Sequence, residues 1–348
     1  MKKTLKTALA LLMALCMVFA LCACGQPAAQ ESAGQPGQPG QADDTVYTLR
    51  LGTFPGDTMT FMQQFAADVD AASNGRLKIE VMNFLTLGTP IDAVNMCKDG
   101  SQDFVTMSGT NYVGYEPRSA VVAIPLMVSD VNQAYELEKA LLEVGCFSEW
   151  EGEVISMLLT DMQYIATATK EIKSAADFSG MIGRCQNANG IAVLQNLGAS
   201  ITTINTHEVY RSLETGVIDF SISSPTNMVS SAYQEVVDYV IDLPLYCDVN
   251  CLIMNKDSFA KLPADLQEVL KQCGVALEQS YQGWLADAEA AAIQTMKDAG
   301  VAFTACPDDV LKVIQDAAAP CLETYLTNLQ KAGIDTDAFM KIVNEKLG

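Results

Sequence analysis

The sequence predicts an α/β protein of two lobes, joined by hinge strands and a long bracing helix. One β-α-β rhythm runs from Val46 to Met107 and a second from Met181 to Phe220, the spacing of parallel sheets with right-handed crossovers. Two extended stretches, Val154 to Thr169 and Tyr246 to Met254, are placed to carry the chain between lobes. A helical pattern from Pro263 to Ala299, about 37 residues and roughly 55 Å long, exceeds one small lobe. The length of 348 residues and 49% hydrophobic content suit two ordinary domains and exclude a mainly disordered chain.

In order, Val46 to Leu51 alternates as a strand and ends in the turn-rich Gly52 to Asp57. Thr58 to Ala72 follows as a helix, with Phe61, Phe65 and Val69 at four-residue spacing. Asn74-Gly75 turns the chain into the strand Leu77 to Met82, then the helix Thr89 to Lys98 and the strand Phe104 to Met107. In the second rhythm, strands at Met181 to Cys185, Ala199 to Thr203 and Val217 to Phe220 alternate with helices at Ala188 to Leu197 and Asn205 to Thr215. Asn205 and Glu208 have capping-box spacing, and Gly216 stands just past that helix. Val301 to Thr304 is a late strand, and Pro307 to Gly333 and Asp335 to Leu347 are terminal helices.

The N-terminus reads as an address. Lys2, Lys3 and Lys6 precede an apolar run from Thr7 to Ala23, the n-region and h-region of a secretory signal. Leu21-Cys22-Ala23-Cys24 resembles a bacterial lipobox, which makes Cys24 the expected lipidated first residue. Gly25 to Asp44 is rich in Gly, Pro, Gln and Ala and reads as a tether. The expected organisation is therefore signal peptide 1–23 and tether 24–44. Lobe 1 is expected from 45–162 with about 250–300. Lobe 2 is expected from 163–249, with the C-terminal helices of about 301–348 as further bracing.

The net charge is −21, from 21 Lys+Arg against 42 Asp+Glu. Such a chain repels phosphate backbones and anionic headgroups, which excludes nucleic acid and a polybasic membrane patch. A single histidine, His207, excludes zinc sites built from several imidazoles. It falls in a helix first turn and reads as a surface or cleft-rim side chain. No GxSxG, HExxH, P-loop or dinucleotide-binding motif occurs, and neither a cofactor nor a metal is expected. Eight cysteines lie beyond Cys24, without a CxxC pair, and read mostly as small buried thiols.

Four stretches together resemble the DctP-like extracytoplasmic solute-binding proteins of tripartite ATP-independent periplasmic (TRAP) transporters. They are Ser73 to Val81 (SNGRLKIEV), Asp177 to Arg184 (DFSGMIGR), Glu208 to Asp219 (EVYRSLETGVID) and Met254 to Leu270 (MNKDSFAKLPADLQEVL), in the family's order and spacing. The resemblance implies a type II periplasmic-binding-protein-like fold. Its two lobes would close over a small organic acid, and the closed monomer would dock on TRAP membrane permease subunits. The same fold would serve a ligand-sensing lipoprotein that signals to a receptor. An exported hydrolase would need Ser108 or Ser223 to act with His207, and neither serine has a nucleophile motif.

By the same resemblance, the Arg that ends the second stretch clamps the ligand carboxylate, and here it is Arg184. Its own setting agrees: it leaves an apolar strand before Gln-Asn-Ala-Asn-Gly, where α/β sheets place ligands. The family's frequent second Arg is Tyr164 here, which points away from a dicarboxylate and towards a monocarboxylate. Ser223 stands for an Asn that often touches ligand, Phe220 for a Gly, and Thr206 for a stacking Phe. Phe54, Ser108 and Gly109 are strand-end candidates from the other lobe.

Overall fold

The computed structural model describes residues 45–54, 56–86, 88–108, 117–143 and 152–347. The expected signal peptide, tether and lipidated Cys24, the candidate Gly109, and Cys146 lie outside the described residues.

The chain builds two sheets. The first has the order β2-β1-β3-β10-β4, from Tyr47–Thr53 (β1), Leu77–Asn83 (β2), Phe104–Ser108 (β3), Gly152–Leu159 (β4) and Val249–Asn255 (β10). The second has the order β11-β9-β5-β8-β6-β7. Its strands are Tyr164–Thr167 (β5), Ile182–Arg184 (β6), Ser200–Thr202 (β7), Phe220–Ser223 (β8), Tyr239–Asp242 (β9) and Ala302–Ala305 (β11). β1 pairs parallel to β2 and β3, and β6 pairs parallel to β7 and β8. Each sheet holds one antiparallel strand that has just crossed from the other: β10 lies between β3 and β4, and β5 between β8 and β9.

Local chemistry accounts for the elements. Helix α1, Asp57–Ala72, buries Met62, Phe65 and Val69 on one stripe. It ends where Asn74 and Gly75 take φ of 53° and 80°, and the Ser73 hydroxyl accepts the Leu77 amide at 2.9 Å to start β2. Helix α2, Pro90–Lys98, opens on a Thr89–Asp92 capping box. Helix α3, Val131–Glu143, buries Val131, Ala134, Leu137 and Leu141 on the first lobe's core. Helices α4, Ala188–Asn196, and α5, Thr206–Glu214, carry the Asn187 cap and the expected Asn205–Glu208 box.

The third strand of the second rhythm starts later than expected. The turn Gly216 to Asp219 carries Val217, which is 60% exposed, and β8 begins at Phe220. Asp219 fixes this register, because its amide donates to the Ile182 carbonyl and its carboxylate accepts the Ile182 amide.

Helix α6, Pro225–Ser230, follows β8, and the short α7, Lys256–Ala260, follows β10. The long helix α8, Ala264–Asp298, spans 35 residues. It packs on β4 and α1 of the first lobe and on α6 of the second, so it braces both. Helix α9, Asp308–Lys331, packs against α4. The last helix, α10, Thr336–Leu347, was expected with the second lobe. It instead packs on α3 of the first, where Phe339 and Val343 are buried.

Candidate functional site

Topology brings two strand edges together. In the first sheet, the carboxyl ends of β1 and β3 share an edge with the start of β10. In the second, the carboxyl ends of β6, β7 and β8 share an edge with the start of β5. Both crossings, 160–163 and 243–248, leave from these edges, so the edges face each other across the crossings. The crossings also bond to one another. Thr160 donates its amide to the Asp248 carbonyl at 2.8 Å, and Gln163 donates to the Tyr246 carbonyl at 2.7 Å. Ser108, at the end of β3, donates to the Asp248 carboxylate. From the second lobe, the Asn189 amide reaches the Ala123 carbonyl at 3.4 Å.

Pleat alternation sorts the second sheet's side chains. Gly183 pairs with Phe220, Arg184 with Ser221, and Tyr164 with Ser223. Arg184, Ser221, Ser223 and Tyr164 therefore share one face, and Gly183, Phe220, Ile222 and Ile165 share the other. Phe220 was expected beside the ligand. It is wholly buried on the far face, stacked edge-on to Phe178 with ring centroids 5.6 Å apart, and so belongs to the core.

Arg184 is 6% exposed. Its Nε donates to the Ile204 carbonyl at 3.3 Å and its Nη2 to the Thr206 hydroxyl at 3.0 Å. These use two of five guanidinium donors. No carboxylate among the described residues pairs with it. Burial pulls its pKa down from the usual arginine value, and Tyr233, Cys185 and Tyr246 oppose that pull. A buried cation is costly unless an anion meets it.

Tyr164 is buried, and its hydroxyl donates to Glu289 of α8 at 3.2 Å. Its phenol is pushed up by burial first and by Glu289 next. Burial, then Asp161, raises Glu289 to about 7. The buried Asp161 accepts the Thr226 amide at 2.9 Å, which ties the first crossing to the start of α6. Burial also raises the Asp161 pKa, and the Thr226 and Ser224 donors oppose this. Ser223 accepts from the Asn227 amide at 2.7 Å. Neither Ser108 nor Ser223 bonds to His207, which is exposed on α5. Phe54 packs edge-on to Phe84 at 4.5 Å, at the first sheet's carboxyl edge.

The structure thus gathers Arg184, Thr206, Ser223 and Tyr164 at one sheet edge, and sets Phe54 and Ser108 on the other lobe's edge. Sequence reasoning missed Asn227, which donates to Ser223. Asn227 had a signal, since it follows the strand-to-helix Pro225 and lies four residues past Ser223. Among the described residues, no group of three His, Cys, Asp or Glu side chains could hold a metal ion.

Known proteins share this architecture. The model for bacterial extracellular solute-binding proteins, family 7 (DctP), matches residues 57–328. A solute-binding protein of Roseobacter denitrificans is 25% identical over 301 residues, covering 80% of this chain and 91% of that one. A Bordetella pertussis extracytoplasmic solute receptor binding pyroglutamic acid superposes with a TM-score of 0.76 at 22% identity, over 87% of this chain and 99% of its own. A marine-metagenome TRAP solute-binding protein, solved with 3-hydroxybenzoate, gives a TM-score of 0.75 at 22% identity, over 87% of this chain and 98% of its own. With the family model spanning both lobes and the sheets in the same two-lobe arrangement, the chain belongs to the DctP family of TRAP-type extracellular solute-binding proteins.

Proposed function

We propose that this protein captures a small monocarboxylate between its lobes and hands it, unreacted, to a TRAP membrane permease. One observation carries the reading: Arg184 is 6% exposed at the sheet edge, and no carboxylate among the described residues neutralises it. The missing anion is assigned to the ligand, because a guanidinium fork matches a carboxylate bidentately. Tyr164 favours one carboxylate over two. It is neutral where many relatives carry a second Arg, and it leads to Glu289 and Asp161, which repel further negative charge. Two structural neighbours bind pyroglutamic acid and 3-hydroxybenzoate, each with one carboxylate. Ser223 and Thr206 would meet the ligand beside Arg184, with Ser108 and Phe54 across the cleft. In this reading the protein is a monomer, catalyses no reaction, and is held outside the cytoplasmic membrane by lipid on Cys24.

Calorimetry with pyroglutamate, 3-hydroxybenzoate and their amides tests the proposal. At least one acid should bind, and Arg184→Ala should weaken it by about 2–5 kcal/mol, roughly 30-fold to several-thousand-fold. The amide should lose comparable affinity on wild type and little more on the variant. Additive losses for variant and amide would remove Arg184 from the site.

A further inference from the structure

The two edges that face each other differ in chemistry. On the second lobe's edge, donors gather. Arg184 spends two of its five on Ile204 and Thr206. Thr206 accepts from Arg184 and Ser223 accepts from Asn227, so each hydroxyl keeps its own proton to give. On the first lobe's edge, Ser108 gives its proton to the Asp248 carboxylate. Thr106 gives its proton to Thr53 at 2.8 Å, and both threonines are wholly buried. Phe54 follows Thr53 directly, at the carboxyl end of β1. Its ring lies edge-on to Phe84, with centroids 4.5 Å and planes 69° apart. Phe84 is wholly buried and Phe54 is half-buried. Phe84 thus holds the Phe54 ring in place, and part of that ring stays open to a molecule at this edge.

We infer that the ligand is an aromatic monocarboxylate, with its acid group on Arg184 and its ring against Phe54, which makes Phe54 the residue that selects for the ring. This rests on Arg184 holding a carboxylate. The acid group is drawn to the second lobe by the guanidinium and turned from the first by the Asp248 carboxylate. The body of the ligand then lies toward Phe54. A ring placed there leaves water and gains a stacked or edge-on contact with an aromatic side chain that is already held. A body covered with hydroxyls would give up its hydrogen bonds to water against a ring that cannot replace them. Phe54 therefore separates aryl acids from sugar acids that carry the same single carboxylate.

Three sodium salts probe the site: acetate, phenylacetate and gluconate, against sodium chloride at equal ionic strength. Thermal unfolding against salt concentration gives affinities for wild type, Phe54→Ala, Phe54→Leu and Arg184→Ala. Wild type should bind phenylacetate about ten- to a hundredfold more tightly than acetate, and more tightly than gluconate by a similar factor. Phe54→Ala should remove most of the gain of phenylacetate over acetate and leave acetate within about twofold of wild type. Phe54→Leu, which keeps an apolar side chain on Phe84, should lose part of the same gain, and it carries the test where Phe54→Ala does not fold. Gluconate binding wild type as tightly as phenylacetate overturns the inference, as does an unchanged ratio of phenylacetate to acetate in the Phe54 variants. In either case, loss of binding in Arg184→Ala leaves the carboxylate reading standing. Wild type that binds none of the three acids, or Arg184→Ala that binds them as wild type does, overturns the carboxylate reading and this inference with it.

Discussion

The place of Arg184 at a strand's carboxyl end was legible in the sequence because it leaves an apolar strand in a base-poor chain, at a position matched by a family stretch. The bond from Asn227 to Ser223 was not, because it exists only once α6 has formed behind β8. Phe220 was misplaced for a different reason: the sequence shows an aromatic near a strand end, and only the strand's start decides which face it takes. With β8 beginning at Phe220, the ring runs across Gly183, where any added β-carbon would overlap it. Gly183→Ala should therefore destabilise the fold by about 1–3 kcal/mol. Adding Phe220→Leu should recover part of that loss, because the two positions share one space. Denaturant unfolding of both single variants and the double variant measures the coupling, and additive effects would move Phe220 off Gly183.

Helices were read from the sequence more securely than strands. Asn205 with Glu208, and the turn at Asn74-Gly75, are local chemistry that survives folding unchanged. The start of β8 depends on Asp219 reaching Ile182, 37 residues away, which no window displays. The same holds for α8, whose helical pattern was plain but whose contact with both lobes was only a matter of length. Where α8 passes the first crossing, Glu289 sits beside Asp161 and accepts from Tyr164. Its pKa is raised from the ordinary 4.5 to about 7, so the folded state binds this proton more tightly than the unfolded chain. The stabilisation is complete below about pH 4.5 and is lost as pH rises through 7. Glu289→Gln keeps an acceptor for Tyr164 and removes the charge. It should raise the melting temperature at pH 8 and flatten the decline between pH 5 and 8, within which Glu289 titrates at about 7. A variant with the wild-type pH profile would show that Glu289 does not titrate there.

At the scale of the molecule, two β-α-β rhythms foretold two sheets and two extended stretches foretold the crossings, but not that each crossing strand would pair between two strands of the sheet it enters. That exchange is a long-range pairing, invisible to periodicity. It makes the two crossings neighbours and sets the carboxyl edges opposite each other. An acid touching both edges should favour a closer approach of the lobes. Small-angle scattering with saturating acid, using whichever compound binds in calorimetry, should give a smaller radius of gyration than the free protein. An unchanged radius would exclude closure on binding. Thr160 and Gln163 on one crossing are bonded to Asp248 and Tyr246 on the other, so the crossings form a single ribbon. Bonded in this way, the two crossings bend together rather than separately. If an acid draws the edges together, the change would then register as one angle, and a membrane partner would read a loaded carrier from its outline alone, without meeting the cargo.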